Sequence, residues 1–253
     1  MVKKNTCVFI SGQGTNLKNL ILRSRENNFP INIKLIISNK KNASGIIFAK
    51  KNSIPFMIVN TKLRSNDNEI LQILKRNKIS FICLAGYMKI ISKNFIKKFG
   101  KKIINIQPSL LPKFKGLNTF SRVLKNNEKK TGCTVHYVNE KLDCGNIIAQ
   151  KSFYIDSNDN EKTLKWKTQK LEYQVFPEAI IKILKIFKWL KSKNISDKEM
   201  MQTFNCGIGF CLIVPKNNIS KIKKVFSQRY QPYEIGFISK TKKKFTLSKS
   251  LKW

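Results

Sequence analysis

Acidic side chains are scarce in this chain of 253 residues: Asp and Glu number 14 against 50 Lys and Arg, a formal net charge of +36. That balance excludes an acidic, solvating chain. Histidine is scarcer still, with His136 alone. The six cysteines (Cys7, Cys83, Cys133, Cys144, Cys206 and Cys211) form no C-x-x-C pair, so a zinc site of the usual Cys/His kind has almost no ligands to draw on, and no metal is expected. No apolar run approaches the roughly 18 residues of a membrane span, which predicts no membrane partner. The basic start Met1–Lys4 is followed by Thr6–Ile10, too short for a signal-peptide core. With no export signal, a reducing cytoplasm is the expected location, and Cys7 and Cys83, inside apolar runs, read as buried thiols.

What is present is enough for a core: hydrophobic residues make up 42% of the chain and aromatics 10%. The positive charge is mostly Lys spread along the whole length, and Lys, Asn and Ile are abundant together, as in Lys40-Lys41-Asn42. A/T-rich codons explain that composition without a partner, so no specific nucleic acid is expected. Non-specific attraction to polyanions, weakened by salt, follows from the charge in any case.

Strand and helix patterns alternate. Residues 7–11, 31–38, 55–59, 81–85 and 102–107 read as strands. Helical spacing follows around Leu17–Leu22, over 44–52 and over 68–77. Strands that are apolar throughout predict a mostly parallel sheet covered by helices on both faces, with the ligand beyond the C-terminal strand ends. Pro108 and Pro112 flank a loop. Residues 119–126 read as a helix, and 133–138 and 147–155 as strands that add antiparallel members. A long helix over 162–190 is expected to break or kink near Pro177. The expected domains are 1–190, a polar linker over 191–198, and an appendage over 199–253 with strands at 203–215 and 233–239 around a helix at 219–226. That appendage is too small for a good core of its own.

Five places draw attention as chemistry. Gly12-Gln13-Gly14-Thr15-Asn16 joins the first strand to the first helix, where backbone N–H groups and the helix N-terminus suit a phosphate; a tight turn is the plainer alternative. Asn105 and Gln107, two apart on a strand, project to one side at its C-terminal end, and an Asn there can donate to a developing oxyanion. Asp143 precedes Cys144-Gly145 in a turn, where an Asx-turn is the ordinary reason for an Asp. Glu172 lies on the long helix, where a solvated face is the ordinary reading. His136 alternates with apolar neighbours and reads as a hydrogen-bonded structural histidine.

Together the segments ISGQGTNL (10–17), LAGYMKII (84–91), NIQPSLLPKFKG (105–116), GCTVHYV (132–138), LDCGNIIAQ (142–150) and QKLEYQVFP (169–177) resemble the phosphoribosylglycinamide (glycinamide ribonucleotide) formyltransferase family. The resemblance implies a Rossmann-like formyltransferase fold with a small α+β C-terminal appendage. It also implies transfer of a formyl group from 10-formyltetrahydrofolate, as co-substrate, to the amine of glycinamide ribonucleotide in purine biosynthesis. By the same resemblance Gly14, Thr15, Asn16 and Glu172 hold the ribonucleotide. Met88, Lys89, Ile90 and Ile91, together with Asn139, Glu140, Lys141, Leu142 and Asp143, line the folate pocket. Asn105 donates to the formyl oxygen, and Asp143 is the carboxylate that orients the catalytic histidine.

That histidine is missing. The family pattern Asn-x-His-Pro-Ser-Leu-Leu-Pro has Gln107 in its third place, and two further family-like histidines are replaced by Asn118 and Tyr173. Gln can donate a hydrogen bond but cannot shuttle a proton near neutrality, so reduced activity is expected, with water carrying the proton between Asp143 and the reacting centre. The tail from Glu199 resembles the C-terminal end of aminoimidazole ribonucleotide synthetase, whose activity is not carried over. A methionyl-tRNA formyltransferase-like enzyme shares the Ser-Leu-Leu-Pro core, and a degenerate polyanion-binding protein would account for the charge and the lost histidine. Formyltetrahydrofolate hydrolase is disfavoured, because no regulatory domain precedes the first strand.

Overall fold

A computed structural model describes residues 3–59, 66–184 and 214–225 of the chain. It divides into two compact units, Met1–Lys185 and Ile186–Trp253. In the first, seven strands form one sheet: β1 (Lys4–Ile10), β2 (Ile31–Ser38), β3 (Phe56–Ile58), β4 (Phe81–Leu84), β5 (Lys102–Gln107), β6 (Lys130–Tyr137) and β7 (Ile147–Tyr154). Their order is β3-β2-β1-β4-β5-β6-β7, with β1 to β5 parallel and β6 and β7 antiparallel. The helices of this unit are α1 (Thr15–Ser24), α2 (Ile46–Lys51), α3 (Asn66–Arg76), α4 (Lys93–Phe99), α5 (Thr119–Lys125) and α6 (Glu161–Leu184).

The strands are apolar throughout because both faces are covered. On one face Val8, Ile10, Cys83, Ile104 and Val135 pack with Leu17 and Leu20 of α1 and with Val175, Phe176 and Ile180 of α6. On the other, Cys7, Phe9, Ile82 and Ile103 pack with Ile70 and Leu74 of α3 and Phe95 and Phe99 of α4. Burying each such side chain contributes about 1.5–3 kcal/mol. Burial also pushes the Cys7 and Cys83 thiols well above their ordinary range, which leaves them inert as nucleophiles.

Helix α4 lies where no helix is expected from the sequence. Its apolar content is only Phe95, Ile96 and Phe99 between lysines, but its ends carry helix signals. Ser92 Oγ accepts the Phe95 N–H at 3.0 Å, Gly100 closes the helix in the left-handed region, and Lys97 and Lys98 sit at the negative end of the dipole.

Helix α6 runs through Pro177 without a break. Proline cannot donate to the carbonyl four residues back, which here is that of Tyr173. Asn19 of α1 makes good the loss, its Nδ2 donating to the Tyr173 oxygen at 2.9 Å. The expected appendage helix is present as α7 (Ile219–Val225), after a short 3-10 turn at Lys216–Asn218. The expected linker and the two appendage strands lie outside the described residues, apart from Val214 and Pro215, which have no regular structure.

Candidate active site

The strand order reverses direction between β1 and β4, so the loops leaving these two strands diverge and open a crevice at the sheet's C-terminal edge. The β1 loop carries Gly12–Gly14. Gly14 has φ +69°, and a Cβ there would stand 2.7 Å from the Gly45 Cα, so two glycine backbones pack directly on one another. This brings the loop down against the start of α2 and frees the N-terminus of α1. Ser11 ties the two diverging loops together: its Oγ accepts the Met88 N–H at 2.8 Å and donates to Asn39 Oδ1 at 2.5 Å.

Beside the glycine loop, α1 and α6 form a polar cluster. Asn16 Nδ2 donates to Glu172 Oε2 at 2.7 Å, and Gln169 Nε2 donates to Thr15 Oγ1 at 2.8 Å. Asn16 Oδ1 is buried with no hydrogen-bond partner among the described residues. Glu172 keeps some accessible surface but is seated deep among protein atoms. Desolvation therefore pushes its carboxyl up to about 7, against the smaller opposing pull of the Asn16 bond. Glu172 is thus not on a solvated face, and Gly14, Thr15, Asn16 and Glu172 fall together.

A cavity of about 270 Å³ opens on the other side of the β4 loop. Met88, Lys89, Ile90 and Ile91 line it, with Asn139, Lys141, Leu142 and Asp143 from the loop between β6 and β7. Glu140 is not among the lining residues; its carboxylate pairs with Lys93 Nζ at 2.7 Å on the outside of that loop. Tyr87, Leu117 and Val138, none of them among the expected site residues, also line the cavity. Met88, Ile90, Leu117 and Leu142 are all more than half exposed, an open apolar mouth suited to a flat ring system.

The polar groups converge at the strand end. Asn105 and Gln107 share the β5 face that carries Ile103, and the antiparallel register sets Asn105 opposite His136 and Gln107 opposite Thr134. Asn105 Nδ2 donates to Asp143 Oδ1 at 3.4 Å and lies 3.3 Å from His136 Nε2. His136 Nε2 is itself 3.5 Å from Asp143 Oδ1. Asp143 Oδ2 accepts the Gly116 N–H at 2.8 Å. Burial works to raise the Asp143 carboxyl, but the bonds from His136, Gly116 and Asn105 outweigh it and hold the group below its ordinary value. Asp143 sits at φ +47°, a conformation that an Asp in a turn tolerates.

Gln107 is tied down. Its Nε2 donates to Gly116 O at 2.8 Å and, over a longer reach, to Phe114 O at 3.4 Å, so the loop holds the amide in place. The Ser109–Pro112 loop is held as firmly: Thr134 Oγ1 donates to Ser109 O at 2.6 Å and accepts from Leu111 N and from Gln150 Nε2. His136 is buried and hydrogen-bonded, as expected, and it also lines the cavity. The available signal was its strand parity: Cys133 and Val135 face one core, so Thr134 and His136 face the side that Asn105 and Gln107 share.

Residues 4–180 match the family described as formyl transferase. Residues 171–248 match AIR synthase related protein, C-terminal domain, a match that starts inside α6 rather than at residue 199. The phosphoribosylglycinamide formyltransferase of Haemophilus influenzae is 40% identical over 200 residues, covering 78% of this chain and 91% of that protein. The trifunctional purine biosynthetic protein adenosine-3 of Homo sapiens is 40% identical over 182 residues, 70% of this chain but only 18% of that protein, so the chain spans less than a fifth of that relative. Among solved structures, phosphoribosylglycinamide formyltransferase from Bacillus halodurans superposes with a TM-score of 0.69 at 35% identity, covering 72% of this chain and 96% of that one. The Brucella melitensis structure does so at 0.68 and 36%, with the same coverage.

Proposed function

The chain belongs to the phosphoribosylglycinamide formyltransferase family, and on that premise we propose that it transfers a formyl group from 10-formyltetrahydrofolate to the amine of glycinamide ribonucleotide, at a rate lowered by Gln107. The observation that carries this reading is the convergence of Asn105 and Asp143 at the inner end of an apolar cavity, with the Gly14–Asn16 and Glu172 cluster across the β4 loop. The cavity's open apolar mouth suits a flat pterin ring. The glycine loop and the α1 N-terminus suit the phosphate of the ribonucleotide.

In this reading the acceptor amine attacks the formyl carbon where the two clusters meet. Asn105 Nδ2 gives up its long bond to Asp143 and donates to the formyl oxygen as negative charge develops there. Such donors are worth about 10²–10³-fold in rate. Asp143 holds positive charge near the reacting nitrogen. The amine–carbon bond forms, the carbon–N10 bond breaks, and one proton passes from the amine to N10. No metal enters this scheme, and no group of three or more possible metal ligands occurs among the described residues. No helix among them is long and apolar enough to cross a membrane; a cytoplasmic location is part of this proposal.

Formyl transfer from 10-formyltetrahydrofolate to glycinamide ribonucleotide, compared between this protein and its Gln107→His variant, tests the reading. The natural protein is expected to turn over, and the variant to turn over faster, by no more than the roughly 10²–10⁴-fold that a positioned acid–base group is worth. Failure of both proteins to transfer, with both still binding the two substrates, would overturn it.

A further inference from the structure

With Gln107 bonded to Gly116 and Phe114, the strand end offers no imidazole. Yet the one histidine of the whole chain stands across the ladder from Asn105, only 2% exposed, along the wall of the same cavity. Its two nitrogens are distinguishable. Nδ1 lies 2.8 Å from the Tyr137 carbonyl oxygen, which can only accept, so Nδ1 carries a hydrogen in either charge state of the ring. The nitrogen that gains and loses a proton is therefore Nε2, and Nε2 faces Asp143 Oδ1 and Asn105 Nδ2.

We propose that His136 is the proton carrier of this site, taking the place of the missing strand-end histidine. The proposal rests on the formyl-transfer reading above. As the amine adds to the formyl carbon, Nε2 accepts the amine proton, directly or through one water. The resulting imidazolium is held by the Asp143 carboxylate, and Asn105 is released to the oxyanion. When the carbon–N10 bond breaks, its electron pair goes to N10 and Nε2 returns the proton there. Atoms and charge balance, and no further reactant is needed. The other ionisable groups along the cavity are a phenol (Tyr87), two ammonium groups (Lys89 and Lys141) and the Asp143 carboxylate. Of the cavity's ionisable groups only the imidazole offers a nitrogen lone pair beside an N–H that fixes the ring's orientation.

A double-mutant cycle over His136→Gln and Gln107→His tests this, with tetrahydrofolate affinity measured on every variant. In the natural background His136→Gln is expected to lower kcat by about 10²–10⁴-fold while tetrahydrofolate affinity holds. In the Gln107→His background the same change is expected to cost about tenfold or less, because a carrier has been restored. An equal loss in both backgrounds would make His136 merely structural and overturn the proposal while leaving formyl transfer standing. Absence of transfer in the natural protein and in Gln107→His alike, with substrates bound, would overturn the underlying reading instead. A second measurement needs no variant. In the untagged, ¹⁵N-histidine-labelled protein the single imidazole gives one pair of nitrogen resonances. Nδ1 is expected protonated throughout, with Nε2 shifting when tetrahydrofolate and glycinamide ribonucleotide are added together. A neutral ring protonated at Nε2, or an Nε2 resonance unmoved by both ligands, would overturn the assignment.

Discussion

Glu172 is an acid whose folded-state pKa, about 7, lies above its ordinary value of 4.5 because the folded protein strips water from it. A group of this sign holds its proton more tightly when folded. Its contribution to stability is therefore full below about pH 4.5 and is lost as the pH rises through about 7. Two and a half units correspond to a loss on the order of 3 kcal/mol. Glu172→Gln removes that dependence while keeping an oxygen that can accept the Asn16 bond. In urea unfolding at pH 5 and pH 8, the natural protein is expected to lose stability relative to the variant at the higher pH. A wild-type-minus-variant difference that stays flat between the two would show that Glu172 is not desolvated. At this scale the sequence was informative about which residues matter and poor about why. Acid scarcity and family pattern picked out Asp143 and Glu172, but the hydrogen-bond partner of Glu172 is Asn16, 156 positions away. The place of His136 on the cavity wall depends on cross-strand register with Asn105. Neither fact is local in the chain.

Among the elements, the parallel strands were legible because a strand buried on both faces is a continuous apolar run, and the runs at 31–38, 81–85 and 102–107 coincide with β2, β4 and β5 to within a residue. Helix α4 was not, since three apolar residues among lysines give no periodicity and the cap residues Ser92 and Gly100 carry its signal. At Pro177 the local rule predicted a break, and a tertiary bond from α1 supplied the missing donor. That substitution of one donor for another is measurable. Asn19→Ala leaves the Tyr173 carbonyl without a partner and is expected to cost about 1–3 kcal/mol. Pro177→Ala restores a backbone N–H four residues on. In that background Asn19→Ala should cost markedly less, with a coupling of about 1 kcal/mol in chemical unfolding. Additive losses would mean that the Asn19 bond does not replace the proline's missing donor.

For the molecule as a whole, the charge decides between an enzyme that is incidentally basic and a protein built to hold polyanions. Residues 186–253 carry 15 of the 50 basic side chains and 3 of the 14 acidic ones, so the excess is spread in near proportion to length rather than gathered in the tail. Along the cavity, too, basic residues stand among apolar ones: Lys89 follows Met88, and Lys141 precedes Leu142. A diffuse positive field attracts duplex DNA through phosphate neutralisation alone. With about 6–10 phosphates neutralised, affinity falls by about 10³–10⁵-fold between 50 and 200 mM salt, without regard to sequence. This protein is expected to follow that pattern: measurable binding to any duplex at low salt, none near physiological salt, and unchanged formyl transfer when DNA is added there. Binding by fluorescence anisotropy across a salt series, on two duplexes of unrelated sequence, checks it. Affinity that persists at 200 mM salt, or that separates the two duplexes, would make polyanion recognition a function in its own right. It would return the loss of the strand-end histidine to the degenerate reading rather than to an enzyme whose proton path has moved to the facing strand.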